Sequence, residues 1–173
     1  MEATLSVLAE HGYVGLTMAA VIERSGVSSA TLYRRYATKT ELVIAAVESL
    51  LPQPADTDTG SLEGDLGAFI RYVAESIERR NERAVQALRL EKERNPDLDA
   101  TMRERFLAPR LADLKGILAR AKQRGEVDTV PSVEVALSLV TGPLYHRAYH
   151  LDEPLTPAFV KNAIGFAVRA LSG

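Results

Sequence analysis

The chain has no cysteine. That excludes a disulfide framework and a thiolate zinc site. No apolar run approaches the roughly 20 residues of a membrane span. The N-terminus lacks the basic stretch and apolar core of a secretory signal, so the chain is expected in the cytoplasm. A strong excess of one charge sign is missing too. Lys and Arg number 21 against 23 Asp and Glu, a net charge of −2, so no overall basic character points to nucleic acid. No segment alternates convincingly as a strand would. Catalytic patterns are scarce as well. There is no phosphate-binding glycine loop and no Gly-x-Ser-x-Gly. His146 and His150 stand at metal-ligand spacing on one helix face, but no third ligand is fixed near them, and no metal site is assigned. Glu91 and Glu93 lie among Arg89, Lys92 and Arg94, a salt-bridged, solvated face. Neither an enzyme nor a cofactor is expected.

What is present is helical periodicity, punctuated by Gly and Pro. With 173 residues at 46% hydrophobic, the chain can bury a core in one or two domains. The spacing predicts a first helix over 3–11, ended by Gly12. Thr17 is a good N-cap for a helix from Met18 to Ser25. Gly26 supplies the positive φ of a sharp turn. Val27 can point back into the angle between helices. Ser28 caps a second short helix, Ser29 to Tyr36, which buries Leu32 and Tyr36 at i, i+4. This is a helix-turn-helix layout, whose second helix enters the DNA major groove. Arg24, Arg34, Arg35 and Lys39 are basic, and no acidic residue falls between Arg24 and Thr40. On this motif such a cluster reads as a DNA-facing surface.

The remaining elements follow from caps and breaks. Thr38 and Glu41 form a capping box that starts a helix to about Leu51. PQPADTDTGS, residues 52–61, cannot pack and reads as a loop between domains 1–51 and 61–173. An amphipathic helix is expected from Leu62 to about Arg80, another from Glu82 to Arg94. Asn95-Pro96 opens the next, which Pro109 should kink or divide before it stops at Arg124-Gly125. Two more span about Pro131 to His150 and Pro157 to Leu171, the latter capped by Thr156. That last helix carries two apolar stripes, Phe159, Ala163, Phe166 and Ala170 beside Val160, Ile164, Ala167 and Leu171. A surface helix needs only one. The second face is expected to pair with another copy, making a homodimer through the last two helices. Phe69, Tyr72, Met102, Phe106 and Tyr145 are aromatic or flexible and form the candidate wall of a small-molecule pocket.

GVSSATLYRRYATKTEL, with LAEHGYVGLTM before it, resembles the signature of the TetR/AcrR family of bacterial regulators. The resemblance covers about Leu8 to Leu50 closely and the rest more loosely. It implies an all-α fold with an N-terminal helix-turn-helix domain and a C-terminal ligand-binding and dimerisation domain. It also implies a repressor that binds a palindromic operator as a dimer and is released by a small apolar or aromatic effector. Members commonly hold phosphates with the residues matching Thr17, Tyr33 and Lys39. Ser29, Ala30, Thr31, Arg34 and Arg35 are the positions open to base edges. Either arginine can clamp a guanine while the other holds phosphate. Two departures stand out. Ala19 occupies a position where many members carry a polar residue, and the sequence starts without their basic N-terminal arm, so either the protein is longer or it relies less on that arm. The alternative reading is a DNA-binding regulator with no small-molecule ligand, whose second domain would be filled.

Overall fold

The computed structural model describes residues 1–53, 56–78 and 82–172, with 82–86 as backbone alone. The helices are α1 Glu2–Gly15, α2 Met18–Ser25, α3 Ser29–Arg35, α4 Lys39–Glu48, α5 Leu62–Glu78, α6 Glu82–Lys92, α7 Pro96–Met102, α8 Ala108–Gln123, α9 Val133–Tyr149 and α10 Pro157–Ser172. A π-helical turn, Arg103–Leu107, precedes α8. No strand occurs among the described residues. The fold is all-α, as the periodicity indicates.

The helices fall into two compact units, and neither is one continuous stretch. The first joins Met1–Leu51 with Arg79–Arg105, and the second joins Pro52–Glu78 with Phe106–Gly173. The loop at 52–61 thus marks one of three crossings, and α6 and α7 go with the N-terminal helices.

Several boundaries differ from the sequence reading, each for a physical reason. Gly12 breaks the helix as expected, at φ 68° and ψ 178°, but a further helical turn to Gly15 follows the kink. That corner of conformational space is essentially reserved for glycine. α4 stops at Glu48 rather than Leu51. Ser49 Oγ turns back to Ala46 O at 2.6 Å, and Pro52 disfavours helix in the residue before it. Pro109 marks a division of the expected helix into α7 and α8 rather than a kink within one helix. It lies in the first turn of α8, where a missing N–H costs nothing, and the π turn before it absorbs the irregularity. α9 begins at Val133 behind Ser132, whose Oγ accepts from Val135 N at 3.4 Å.

In the first unit α1 packs on α2, α4 and α6, while α7 touches α4 and α6. Leu8, Leu16, Leu42, Val43, Leu88 and Leu98 are fully buried there. In the second unit α5 packs against α8, α9 and α10, and α9 touches α8 and α10. Phe69, Ile70, Leu114, Ile117 and Leu144 lie at the centre of that core.

A buried ionic knot fixes the entry to α5. Asp65 is wholly buried and accepts from Thr59 N and Thr59 Oγ1, both at 2.7 Å, and from Arg124 Nη2 at 3.2 Å. Burial alone would push the Asp65 carboxyl up, but the bonds from Thr59 and Arg124 hold it below the ordinary range. Arg124 also donates to Glu126 at 2.7 Å, and Glu126 accepts from Leu62 N.

Candidate nucleic-acid interface

Three local choices build the motif. Thr17 caps α2, its Oγ1 accepting from Ala20 N at 3.1 Å. Gly26 ends α2 with φ 68° and ψ 6°, a left-handed residue that bends the chain toward Ser28. Ser28 Oγ then accepts from Thr31 N at 3.3 Å and meets Thr31 Oγ1 at 2.9 Å, which starts α3.

α3 is held by one side chain. Leu32 is 8% exposed, whereas Ser29, Ala30, Thr31, Tyr33, Arg34 and Arg35 are all exposed. Tyr33 shows 54% of its surface. A helix of seven residues with one anchor leaves almost its whole surface to a partner. Tyr36 is only half-buried, because it is the C-cap and its backbone is extended. Val27 does not tuck between the helices; it is 38% exposed.

The four basic residues of this region divide into two kinds. Arg24 is committed to α1, donating to Glu10 Oε1 at 2.5 Å and to Ser6 Oγ at 2.6 Å. Its guanidinium, with the Ser6 hydroxyl, holds the Glu10 carboxyl down at about 2. Lys39 is half-buried at the start of α4. Its Nζ donates to Tyr13 O at 3.1 Å and lies 4.5 Å above the Tyr13 ring. Tyr13 is itself pinned, its hydroxyl 2.6 Å from Thr40 Oγ1. Two N–H donors of the Lys39 ammonium remain. Arg34 and Arg35 make no ion pair among the described residues, and Arg35 lies 5.7 Å from the centre of the Tyr36 ring. So the free guanidinium charge of the motif is concentrated on the exposed helix.

The capping box at α4 is real but shifted. Thr38 Oγ1 accepts from Glu41 N at 3.1 Å, and Glu41 Oε2 accepts from Ala37 N at 2.7 Å, one residue before the cap. At the other end of α4, Glu48 accepts a two-pronged pair from Arg105 Nε and Nη2, both at 2.7 Å. The sequence carries no local signal for that pair, since 57 residues separate the partners.

The residues expected to wall a ligand pocket are divided between the two units. Phe69 is 1% exposed and belongs to the core. Tyr72 and Tyr145 pack half-buried against that core. Phe106 is half-buried, and Met102 belongs to the first unit. An open groove of about 1040 Å³ runs along α5 and α10, lined by Arg71, Ala74, Glu75, Leu155, Val160 and Ile164 among others, and none of the five is in it. On α9 and α10, Val135, Leu139 and Phe166 are 62%, 43% and 67% exposed, an apolar face on which the Arg169 guanidinium lies 4.6 Å from the centre of the Phe166 ring. Among the described residues no three His, Cys, Asp or Glu group as metal ligands, and no helix is long and apolar enough to cross a membrane.

Known proteins share this arrangement. Residues 1–46 match the description "Bacterial regulatory proteins, tetR family", and residues 56–167 match "Tetracyclin repressor-like, C-terminal domain". An HTH-type transcriptional regulator of Mycobacterium tuberculosis is 32% identical over 157 residues, 90% of this chain and 77% of that protein. The HTH-type transcriptional repressor KstR of Mycolicibacterium smegmatis is 27% identical, over 99% of this chain and 76% of its own. Among solved structures, the flavonoid-responsive regulator FrrA superposes with a TM-score of 0.73 at 25% identity, covering 98% of this chain and 91% of its own. The TetR family transcription regulator SCO0332 gives 0.68 at 29% identity, covering 98% and 94%.

Proposed function

The chain belongs to the tetR family of bacterial regulatory proteins, non-enzymatic DNA-binding transcriptional regulators, and from that premise we propose that it is a dimeric repressor released from a palindromic operator by a small aromatic or apolar effector. The observation that carries the DNA half is α3, with six polar or small side chains exposed around one buried leucine. Tyr33, Thr17 and Lys39 hold phosphates. Ser29, Ala30, Thr31 and the two arginines face base edges, and a bidentate Arg–guanine contact is worth about 1–3 kcal/mol of discrimination. Ala19 is exposed at the start of α2 and offers only a methyl, so base readout rests on α3.

Residues 1–51 serve as the operator-binding domain and residues 61–173 as the sensing and dimerisation domain. The exposed apolar face of α9 and α10 is the dimer seam. Phe166 would otherwise leave a large ring in water beside Val135 and Leu139. A two-fold dimer suits a palindromic operator, whose half-sites are read one duplex turn apart. The flavonoid-responsive relative supports an aromatic effector. Tyr72, Phe106 and Tyr145 supply aromatic surface for it, with Phe69 as backing. α4 is the lever: it starts with Lys39 and ends at Glu48, which Arg105 grips. Ligand and operator then oppose each other through one coupling free energy. The protein acts in the cytoplasm.

A constitutive regulator is the second reading, favoured by the complete burial of Phe69. The test begins with an operator selected from genomic fragments. Tyr33→Ala should weaken binding to all duplexes alike, and Arg34→Ala or Arg35→Ala should also relax one position per half-site. Equal affinity of wild type and Tyr33→Ala at matched salt refutes the DNA assignment. A ligand screen on that operator separates the inducible from the constitutive reading.

A further inference from the structure

The chain has three histidines and no cysteine, so soft metal-binding nitrogen is scarce. His146 and His150 stand one turn apart at the C-terminal end of α9, and both are exposed. His150 N donates to His146 O at 2.9 Å, which closes the helical turn between them. The two ring centres lie 5.4 Å apart, with planes 31° from parallel. Neither imidazole has a hydrogen bond or ion pair among the described residues. Arg147, the cation between them in sequence, is engaged elsewhere. Its Nη2 lies 2.8 Å from Glu153, and its Nε donates to Pro154 O at 2.8 Å.

That separation matches a two-nitrogen chelate. A tetrahedral ion holds an imidazole nitrogen at about 2.0–2.1 Å, and the ring centre lies about 1 Å further out. Two rings meeting at a tetrahedral angle then have their centres about 5 Å apart. Small rotations of two exposed side chains bridge the difference from 5.4 Å. The formed turn helps, because once one nitrogen is bound the second is an intramolecular ligand. Imidazole suits copper, nickel and zinc, whereas magnesium and calcium prefer oxygen. The pair stands about 10 Å along the α9 axis from Leu139, beyond the apolar part of the face assigned to the dimer seam and at its rim, where polar residues belong.

We propose that His146 and His150 together chelate one late divalent transition-metal ion per chain, with water in the remaining positions. The site uses no third protein ligand, in keeping with the lack of any group of three metal-binding side chains among the described residues. It rests on neither the operator contacts nor the effector proposed above.

The test uses the full chain with nickel chloride and copper(II) chloride, and magnesium chloride as the control. Calorimetry should return one nickel or copper ion per chain at micromolar metal, and no saturable binding of magnesium. His146→Ala and His150→Ala should each weaken nickel binding at least about tenfold, because either change leaves a single nitrogen. The double variant should lose little more than either single one. His11, on α1 with Glu10 3.7 Å away, is the internal control, and His11→Ala should bind as wild type does. Circular dichroism checks that the variants are folded. A measurement on the unaltered protein decides independently of folding. Nickel should shield His146 and His150 together from acylation by diethyl pyrocarbonate, read by mass spectrometry, and should leave His11 reactive. The proposal is overturned if neither ion binds at micromolar metal, or if magnesium binds as well as nickel. It is equally overturned if either single variant binds like wild type, if the two losses simply add, or if only one of the pair is shielded.

Discussion

Lys39→Met offers a sharp test of how the motif meets DNA, because the structure gives this lysine two employers. Within the protein its ammonium donates to Tyr13 O at 3.1 Å and sits 4.5 Å over the ring. Methionine keeps most of the aliphatic stem and removes both contacts. A hydrogen bond from a charged donor and a half-exposed cation–π contact together contribute about 1–2 kcal/mol to stability. That loss should appear as a lower unfolding midpoint, and it should not depend on DNA. The second employer is a phosphate. Each neutralised phosphate contributes about 0.9 to the slope of log affinity against log salt, so a two-fold complex should lose about 1.8. The gap between wild type and variant should then shrink about tenfold between 50 and 200 mM salt. Tyr13 holds the lysine ready beside the α4 N-terminus, so little side-chain freedom is left to lose on binding. The assays are a denaturant titration of the free protein and operator titrations at four salt concentrations. A lower unfolding midpoint with an unchanged salt slope would mean that Lys39 serves Tyr13 alone, and the phosphate contact would be refuted.

Phe166→Asp should give a folded monomer, since the ring is 67% exposed in the single chain but lies in the proposed seam. Sedimentation that still shows dimer at micromolar concentration sinks that seam. Gly12→Ala should destabilise the protein by about 1–3 kcal/mol for its positive φ, although no atom lies within 4 Å of the added carbon. An unchanged denaturant midpoint contradicts it. The Glu10 carboxyl titrates lower folded than unfolded, at about 2 against 4.5. Its pairing with Arg24 therefore supports the fold above pH 4.5, and that support is lost as pH falls toward 2. Glu10→Gln should flatten this part of the acid-unfolding curve, and an identical curve refutes the link.

The sequence was most readable where structure is decided within four residues. Ser28, Thr38, Asn95 and Thr156 cap helices as their positions suggest, and Gly26 turns the chain as only a residue free at positive φ does easily. Leu32 stands out as the inward residue of α3 for the same reason. What could not be read involves partners far apart in the chain. Arg105 meeting Glu48, Asp65 meeting Arg124 and Arg24 meeting Glu10 leave no periodic trace, because a lone charge looks the same paired or solvated. The Gly12 kink was half legible. A glycine there announces a break, but the extra turn that follows depends on Tyr13 finding Thr40. The aromatic residues offered for a pocket share a composition, and composition does not say which of them, like Phe69, the core itself consumes.

The interleaving of the two units bears on how this regulator can be cut and recombined. The chain passes between them three times, after Leu51, after Glu78 and after Arg105. A fragment ending at the 52–61 loop would carry α1 without the α6 surface it packs on, and would bare apolar side chains such as Leu8. Grafting this operator specificity onto another sensor therefore calls for transplanting 79–105 together with 1–51, as two pieces at once. Random recombination, which exchanges single contiguous segments, would seldom deliver both. The same threading means that one protease nick leaves each unit tied to the other by the remaining crossings.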